Sequence, residues 1–476
     1  EDEFTLENAI KTITSEFLLN EKQRNLLMND LSDHRINDNN NENLIQDITF
    51  YNNGFKYFEF KDSDEHLNET IFNFINIYDT PEKIIAYLSK KAKVIGISAT
   101  ADINTVTGNY DLDYLSSVLK ENLKFIPNEV YERIKMELEC TWDAYKCGKV
   151  NVNTSIINLN KGNLDINSRL EEIFQSKKLA NRYSIKLINK CGGVESSDYI
   201  IKRYCNIFAI IKEFVIHDDI KSFLCLNMVL PKRDIINFDL ELFETAISDL
   251  AKIYNKSLNS GNIYVLKSEN FDIDKENVLK RLSNNEKILI MSSYNTIGAG
   301  QNLQYEYPSL EGLIQIADGV DECDSRIKYK DIDAIFLGDI TNIAVNMYNT
   351  SNIDEEALLK YFFQIEYLYE NDEISYRTLD NLIKIGFNKY SKNNEYSNYY
   401  IDIKNTMSIK RQATRDVIQA LGRISRTFVK NSNIYIYTVE ELVGKVDVGC
   451  LHNKILTPEM KSFVKLVDGM GYRYNE

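Results

Sequence analysis

The segment Lys287-Ile-Leu-Ile-Met-Ser-Ser293 is an apolar run bounded by a lysine and two serines. A short, unbroken apolar run is typical of a strand that is buried on both faces in a parallel sheet. We predict further strands at 221–226, 262–266, 331–337 and 433–437. Helices are predicted between them at 203–214, 238–254 and 275–282. Strands that alternate with helices predict an α/β fold, with a parallel sheet covered by helices on both faces.

The composition is that of a globular protein with more than one domain. At 476 residues, with 43% hydrophobic and 11% aromatic residues, the chain can bury substantial cores. Its net charge of −15 argues against a protein held on nucleic acid by overall charge, although it does not exclude a local basic groove.

Cysteine usage and hydropathy predict a cytoplasmic protein. The seven cysteines are scattered without a Cys-x-x-Cys pair, and the four histidines do not cluster with them. This pattern predicts reduced thiols and no zinc site. No run of about 18 uncharged apolar residues occurs, so we expect no transmembrane span, and no signal peptide is visible. The first residue is Glu1 rather than Met, which is compatible with a fragment of a longer protein.

The segment Gln419-Ala-Leu-Gly-Arg-Ile-Ser-Arg-Thr427 carries two arginines, Arg423 and Arg426, at a spacing of three. The residues at 415–421 predict a helix, and on a helix residues three apart share a face. Paired guanidinium groups suit a polyphosphate, because arginine binds phosphate bidentately and keeps its charge. The alternative interpretation is a solvated basic helix.

A glycine-containing loop follows the strand, within Ser292-Ser-Tyr-Asn-Thr-Ile-Gly-Ala-Gly-Gln-Asn-Leu303. Gly298 and Gly300 permit unusual backbone angles and close approach of a ligand. Thr296 and Asn302 add side-chain hydrogen-bond donors. Loops at the carboxyl ends of parallel strands are where ligands bind in open α/β sheets. The alternative is an ordinary tight turn.

A third stretch, Val94-Ile-Gly-Ile-Ser-Ala-Thr100, is a short apolar run that ends in small hydroxyl residues. It predicts another buried parallel strand, with a loop at its carboxyl end that begins near Ser98 and Thr100.

In this order the three stretches resemble the motifs of superfamily-two helicases, the DEAD/DEAH-like nucleic-acid translocases. The resemblance covers roughly residues 85–125 and 180–440, and the arginine-containing segment is the strongest match. It implies two RecA-like lobes and the following division of the chain. A partial first lobe with an Asn-rich insertion would occupy 1–125, a connector 126–180, a second lobe 181–460 with a helical insertion at about 340–410, and a C-terminal tail 461–476.

The resemblance also implies roles for individual residues. Ser98 and Thr100 would couple the two lobes by hydrogen bonding. Contact with the nucleic-acid backbone or the ATP site is implied for Thr296, Gly298, Gly300 and Asn302. Gln419 would lie near the nucleotide. Arg423 and Arg426 would approach the γ-phosphate, with Arg426 as the arginine finger.

The sequence departs from the family because it contains no Gly-x-x-x-x-Gly-Lys-[Ser/Thr] phosphate loop. Cys147-Gly-Lys-Val150 is the nearest context, and it lacks the hydroxyl residue after the lysine. Asp2 and Glu3 are candidates for the family's Asp-Glu pair, which would make Asp2 a contact for Mg²⁺. The alternative is that these acids only begin an amphipathic helix, where negative charge is favourable.

The implied function is a nucleic-acid-dependent ATPase or helicase that uses ATP and Mg²⁺ and acts on a single strand of DNA or RNA. The chain would be its carboxyl-terminal portion, completed by a missing N-terminal lobe or a partner subunit, and we expect no ATP hydrolysis by this chain alone. The alternative is a non-catalytic nucleic-acid or protein docking module with a RecA-like fold. The missing phosphate loop and the net charge of −15 motivate that alternative.

Overall fold

The computed structural model describes most of the chain from Phe55 to Met470. The described ranges are 55–62, 70–77, 79–98, 100–105, 108–157, 165–191, 197–233, 238–297, 301–317, 324–341, 343–345, 347, 353–390, 403 and 405–470. The chain divides into two compact units. The first comprises Glu1–Phe125 and Asn342–Gln412, and the second comprises Ile126–Thr341 and Ala413–Glu476.

Strands and helices are numbered separately in chain order. The strands are β1 Phe55–Asp62, β2 Thr70–Ile77, β3 Asn151–Ile156, β4 Ser222–Asn227, β5 Ile263–Val265, β6 Ile288–Ser293, β7 Tyr305–Glu306, β8 Leu313–Gln315, β9 Tyr329–Lys330, β10 Ala334–Leu337, β11 Val429–Asn431 and β12 Asn433–Thr438. The helices are α1 Pro81–Ser89, α2 Leu112–Leu119, α3 Asn128–Cys140, α4 Asp143–Lys146, α5 Ile166–Phe174, α6 Lys177–Cys191, α7 Ser197–Ile216, α8 Leu240–Ile253, α9 Phe271–Ser283, α10 Ser325–Lys328, α11 Glu355–Glu370, α12 Tyr376–Tyr390, α13 Met407–Leu421, α14 Glu440–Val443 and α15 Pro458–Gly469.

The second unit is built on a six-stranded sheet in the order β3-β12-β10-β4-β6-β5. Every neighbouring pair in this sheet is parallel. All residues of β4, β6 and β10 are buried, as expected for apolar strands covered on both faces. The predicted α/β fold, a parallel sheet flanked by helices, is therefore confirmed for this unit.

The strand order reverses in the middle of this sheet. After β4, the chain adds β5 and β6 on one side of β4. It then returns to add β10 on the other side of β4, with β12 next to β10. Since β4 and β10 are neighbours, the crevice outside their carboxyl ends is a topological switch point. A Cβ at Gly338, just after β10, would lie 2.7 Å from the Leu226 carbonyl oxygen, so glycine permits the close approach of the two strand ends.

A smaller, four-stranded sheet in the order β7-β9-β11-β8 also belongs to the second unit. Its strands have two or three residues each. β9 and β11 pair in parallel at Lys330 and Val429, which places the chain before β10 beside the chain that follows α13.

In the first unit, β1 and β2 form an antiparallel hairpin, and α11 and α12 form a helical hairpin. The core of the helical hairpin includes Leu358, Phe362 and Leu382, all nearly inaccessible to solvent. The two helices fall within the helical insertion predicted at about 340–410. A smaller cluster joins α1 and α2 around Tyr114 and Leu115.

The prediction of a buried strand at 94–100 is wrong for the described residues of that segment. Residues 94–98 form no strand, and the side chains of Ile95 and Ile97 are 83% and 93% exposed. A strand needs a neighbour to satisfy its backbone groups. Among the residues that the structure describes, none pairs with this segment, so its apolar sequence does not lead to a strand.

The segment interpreted as a connector, 126–180, lies within the second unit and contributes β3 to its sheet. The burial of β3 alternates between exposed and half-buried, as expected at a sheet edge. Helix α15, at the start of the predicted tail, meets this edge through the hydroxyl groups of Ser462 and Thr154, 2.8 Å apart.

Candidate functional site

The loop after β6 is held by short hydrogen bonds at its start. The backbone N–H of Thr296 donates to Ser293 Oγ at 3.1 Å, and the two hydroxyl oxygens lie 2.8 Å apart. The Tyr294 hydroxyl donates to the Gly338 carbonyl at 2.9 Å, and burial raises the pKa of that hydroxyl. The loop is thus fixed to the carboxyl end of the sheet. Gly298 and Gly300 lie outside the described residues.

Helix α13 ends at Leu421, before either predicted arginine. The backbone N–H of Arg423 donates to the Ala420 carbonyl at 3.0 Å, a turn rather than a continued helix. Gly422 stands at this point, and glycine is a poor helix former. The prediction that Arg423 and Arg426 share a helical face is therefore wrong, because both lie in the turn that follows the helix.

Arg423 is a buried residue of this turn, with 3% of its surface exposed. Its guanidinium donates to the Ile297 carbonyl at 2.8 Å. Burial, and secondarily the charge of Arg426, lowers the pKa of Arg423 to about 10. The contact joins the turn to the loop that follows β6.

Arg426 remains partly exposed, and its guanidinium donates to Asn302 Oδ1. Asn302 is itself exposed. The two segments that carry the strongest sequence signals in the second unit therefore meet through Arg423–Ile297 and Arg426–Asn302. Gln419 lies half-buried on the last turn of α13.

Asp331, just before β10, is a site residue that sequence reasoning missed. Its carboxylate is buried, with the residue 2% exposed, and accepts the backbone N–H groups of Arg426 and Thr427 at 2.7 Å each. The available signal was an acid placed directly before an apolar strand, at Asp331 and again at Asp333. That signal is weak, because acids before strands are more often part of exposed turns.

Ser98 and Thr100 belong to the first unit and so to a different body from Arg426. Thr100 is buried, and its backbone N–H donates to Ser98 Oγ at 3.3 Å. The Asn109 side-chain amide donates to the Thr100 carbonyl at 2.7 Å. These bonds order a local turn, and the coupling role of the two hydroxyl residues stays a prediction. Asp2 and Glu3 lie outside the described residues.

A polar cleft also lies at the topological switch point, between the start of α7 and the carboxyl ends of β4 and β10. Lys202 and Glu441, which both line it, form an ion pair, and Asp339 of the lining pairs with Lys445 at 2.6 Å. Arg203 lines the same cleft with its guanidinium 4.6 Å from the ring centre of Phe238, and burial lowers its pKa. No motif in the sequence predicts this cleft.

The described part of the chain contains no group of three or more His, Cys, Asp or Glu side chains that could hold a metal ion. None of its helices combines the length and the apolar character needed to cross a bilayer. The chain matches no protein-family model and no curated protein sequence. The fold of the second unit therefore defines only a class, an α/β protein with a six-stranded, all-parallel sheet flanked by helices.

Proposed function

We propose that this chain provides the second lobe of a nucleic-acid-dependent ATPase of the helicase type. The observation that carries the proposal is the hydrogen bond between Arg426 and Asn302. It joins a permanent cation to a loop at the carboxyl end of a parallel strand, where ligands of open α/β sheets bind. The ordered sequence motifs support the same interpretation.

Arg426 has the properties needed to contact a phosphate. A guanidinium has five N–H donors, so it can keep its bond to Asn302 and still donate to phosphate oxygens. Its partial exposure leaves it open to a ligand. Arg423 is buried against the Ile297 carbonyl. Of the two arginines we therefore assign the phosphate contact to Arg426 and a positioning role to Arg423.

ATP and Mg²⁺ fit this chain only in part. When bound, ATP would supply the phosphoryl group, and Arg426 would stabilise negative charge on it. Thr296 and Asn302 would hold the nucleic-acid backbone by hydrogen bonds. The described residues offer no carboxylate cluster for Mg²⁺. The assignment of Asp2 to the metal and Glu3 to its neighbourhood stays a prediction.

A docking module without nucleotide chemistry is the second candidate function. The burial of Arg423 favours it, because only one of the two predicted arginines is then open to a ligand. The sequence also has no phosphate loop. Tight binding of ATP to the isolated chain would count against this candidate, whereas binding of a partner without nucleotide would support it.

Binding of single-stranded oligonucleotides to the 476-residue chain tests the proposed function. Fluorescence anisotropy at low salt is suitable, since protein–phosphate contacts weaken steeply as salt rises. We expect Asn302→Ala to weaken binding about tenfold, equal to about 1.4 kcal/mol. The control is Thr245→Ala, a half-buried position on α8 whose hydroxyl donates to the Glu241 carbonyl of the same helix. Equal affinities for the Asn302 and Thr245 variants would contradict the proposed contact.

A further inference from the structure

The backbone of the turn that carries Arg426 is hydrogen-bonded to one buried carboxylate. Asp331 Oδ2 accepts the N–H groups of Arg426 and Thr427 at 2.7 Å each. In return, the backbone N–H of Asp331 donates to Thr427 Oγ1 at 3.1 Å. Hydrogen bonds to an ionised acceptor are stronger than neutral ones. These three bonds fix the backbone from which the Arg426 side chain extends.

Lys430 completes this arrangement by forming a buried ion pair with Asp331. Its ammonium lies 2.6 Å from Asp331 Oδ2 and donates to the Ile424 carbonyl at 2.8 Å. Both members of the pair are buried, with side chains 3% and 2% exposed. A buried charge is tolerated only with a close partner and satisfied hydrogen bonds. Lys430 therefore binds the arginine turn at a second point, the Ile424 carbonyl, two residues before Arg426.

Asp333, two residues after Asp331, also forms an ion pair with a lysine, but its carboxylate accepts hydrogen bonds from a different part of the backbone. Its carboxylate lies 2.5 Å from the ammonium of Lys330, and both side chains are buried. The other carboxylate oxygen accepts the N–H groups of Lys221 and Ser222 at 3.0 Å each. Asp333 thus fixes the start of β4, and none of its described hydrogen bonds reaches the arginine turn.

We propose that Asp331 is the positioning residue for Arg426: its buried carboxylate, neutralised by Lys430, sets the place and direction of the phosphate-contacting guanidinium. The inference rests on the proposed function for the role of Arg426. The hydrogen bonds that carry it are independent of that function. Asp331 itself contacts no substrate in this account and acts only through the backbone of the turn.

Amide hydrogen exchange in the full chain tests the structural half of the inference. The variant is Asp331→Ala with Lys430→Met, which removes the acceptor and its buried counter-charge together. The amides of Arg426 and Thr427 should then exchange at least about tenfold faster, because their protecting bonds are gone. The matched control is Asp333→Ala with Lys330→Met, which deletes the same atoms two residues away. The inference would be overturned if the first variant left the exchange rates of these two amides unchanged. It would also be overturned if the first variant and the control raised those rates equally.

A conservative variant keeps the test decisive if the alanine variant does not fold. Asp331→Asn with Lys430→Met retains a neutral oxygen acceptor, so exchange should be faster than in the unaltered protein but slower than with alanine. Unchanged exchange in this variant would again overturn the assignment.

ATP hydrolysis by the complete gene product tests the functional half. The Asp331 variant should lower kcat between about 10- and 100-fold, as expected for a misplaced catalytic group, with KM little changed. The Asp333 control should retain kcat. If Arg426→Ala itself leaves hydrolysis unchanged, the proposed function fails, and the exchange measurement still decides whether Asp331 holds the turn. If Arg426→Ala abolishes hydrolysis but the Asp331 variant does not, the positioning role is wrong.

Discussion

Arg423 and Arg426 stand three residues apart and have opposite environments. Arg423 is buried and bonded to a backbone carbonyl, whereas Arg426 is partly exposed and bonded to an exposed side chain. In the sequence the two look equivalent. The difference arises because α13 ends at Leu421, so that the residues after it follow a turn and point in different directions. A sequence pattern alone does not reveal where a helix ends to within a turn.

Substitution of Arg423 should therefore lower mainly the stability of the protein, and substitution of Arg426 should lower mainly its function. Arg423→Ala removes a buried hydrogen bond and packed volume, so we expect it to lower the free energy of unfolding by about 2–4 kcal/mol. Arg426→Ala removes a partly exposed group and should lower it by less than about 1 kcal/mol. Urea denaturation of both variants measures this difference. Similar losses for the two would show that Arg423 does not hold the turn to the loop.

Among the secondary-structure elements, the α11–α12 hairpin of the first unit carries a half-buried acid, Glu370, at the end of a helix. Burial, together with the nearby charges of Glu366, Asp372 and Asp111, raises the pKa of Glu370 to about 7. Glu370 is the last residue of α11, where the helix dipole also disfavours a negative charge. The hairpin therefore carries an ionisable group that is more readily protonated when folded.

This shift predicts a pH dependence of stability with a definite sign. The folded pKa is about 7 and the ordinary value is 4.5, so between these values the folded state binds more protons than the unfolded state. Stability should fall as pH rises through this window. Glu370→Gln should thus stabilise the first unit by about 1–3 kcal/mol at pH 8 and by little near pH 4.5. Thermal unfolding at both pH values measures this, with the exposed Glu356→Gln as control. A benefit that is the same at both pH values would refute the shift.

For the molecule as a whole, the parallel sheet was predictable except for its edge strand β3. β4, β6 and β10 are buried on both faces, so their apolar runs are continuous and easily read. β3 is half-exposed and rich in Asn, so its sequence resembles a loop. The segment at 94–98 has the composition of a buried strand, but whether a strand forms depends on neighbours that a local sequence does not specify.

The candidate site was predictable in its parts but not in its connections. The loop at Thr296–Asn302 and the arginine segment were each visible as motifs, more than a hundred residues apart. Their contact depends on the order of strands in the sheet. The buried carboxylate of Asp331 had only a weak sequence signal, because its importance comes from the Arg426 and Thr427 N–H groups that the fold brings to it.

The most direct test of the central claim is ATP hydrolysis by the complete gene product in the presence of single-stranded nucleic acid. The comparison is Arg426→Ala with Arg233→Ala, which removes a surface arginine paired with Glu244. If Arg426 stabilises charge on a transferred phosphoryl group, its loss should lower kcat by about 10³-fold or more. The Arg233 variant should hydrolyse ATP at the rate of the unaltered protein. Equal, undiminished rates in both variants would contradict the assignment of Arg426 to a phosphate.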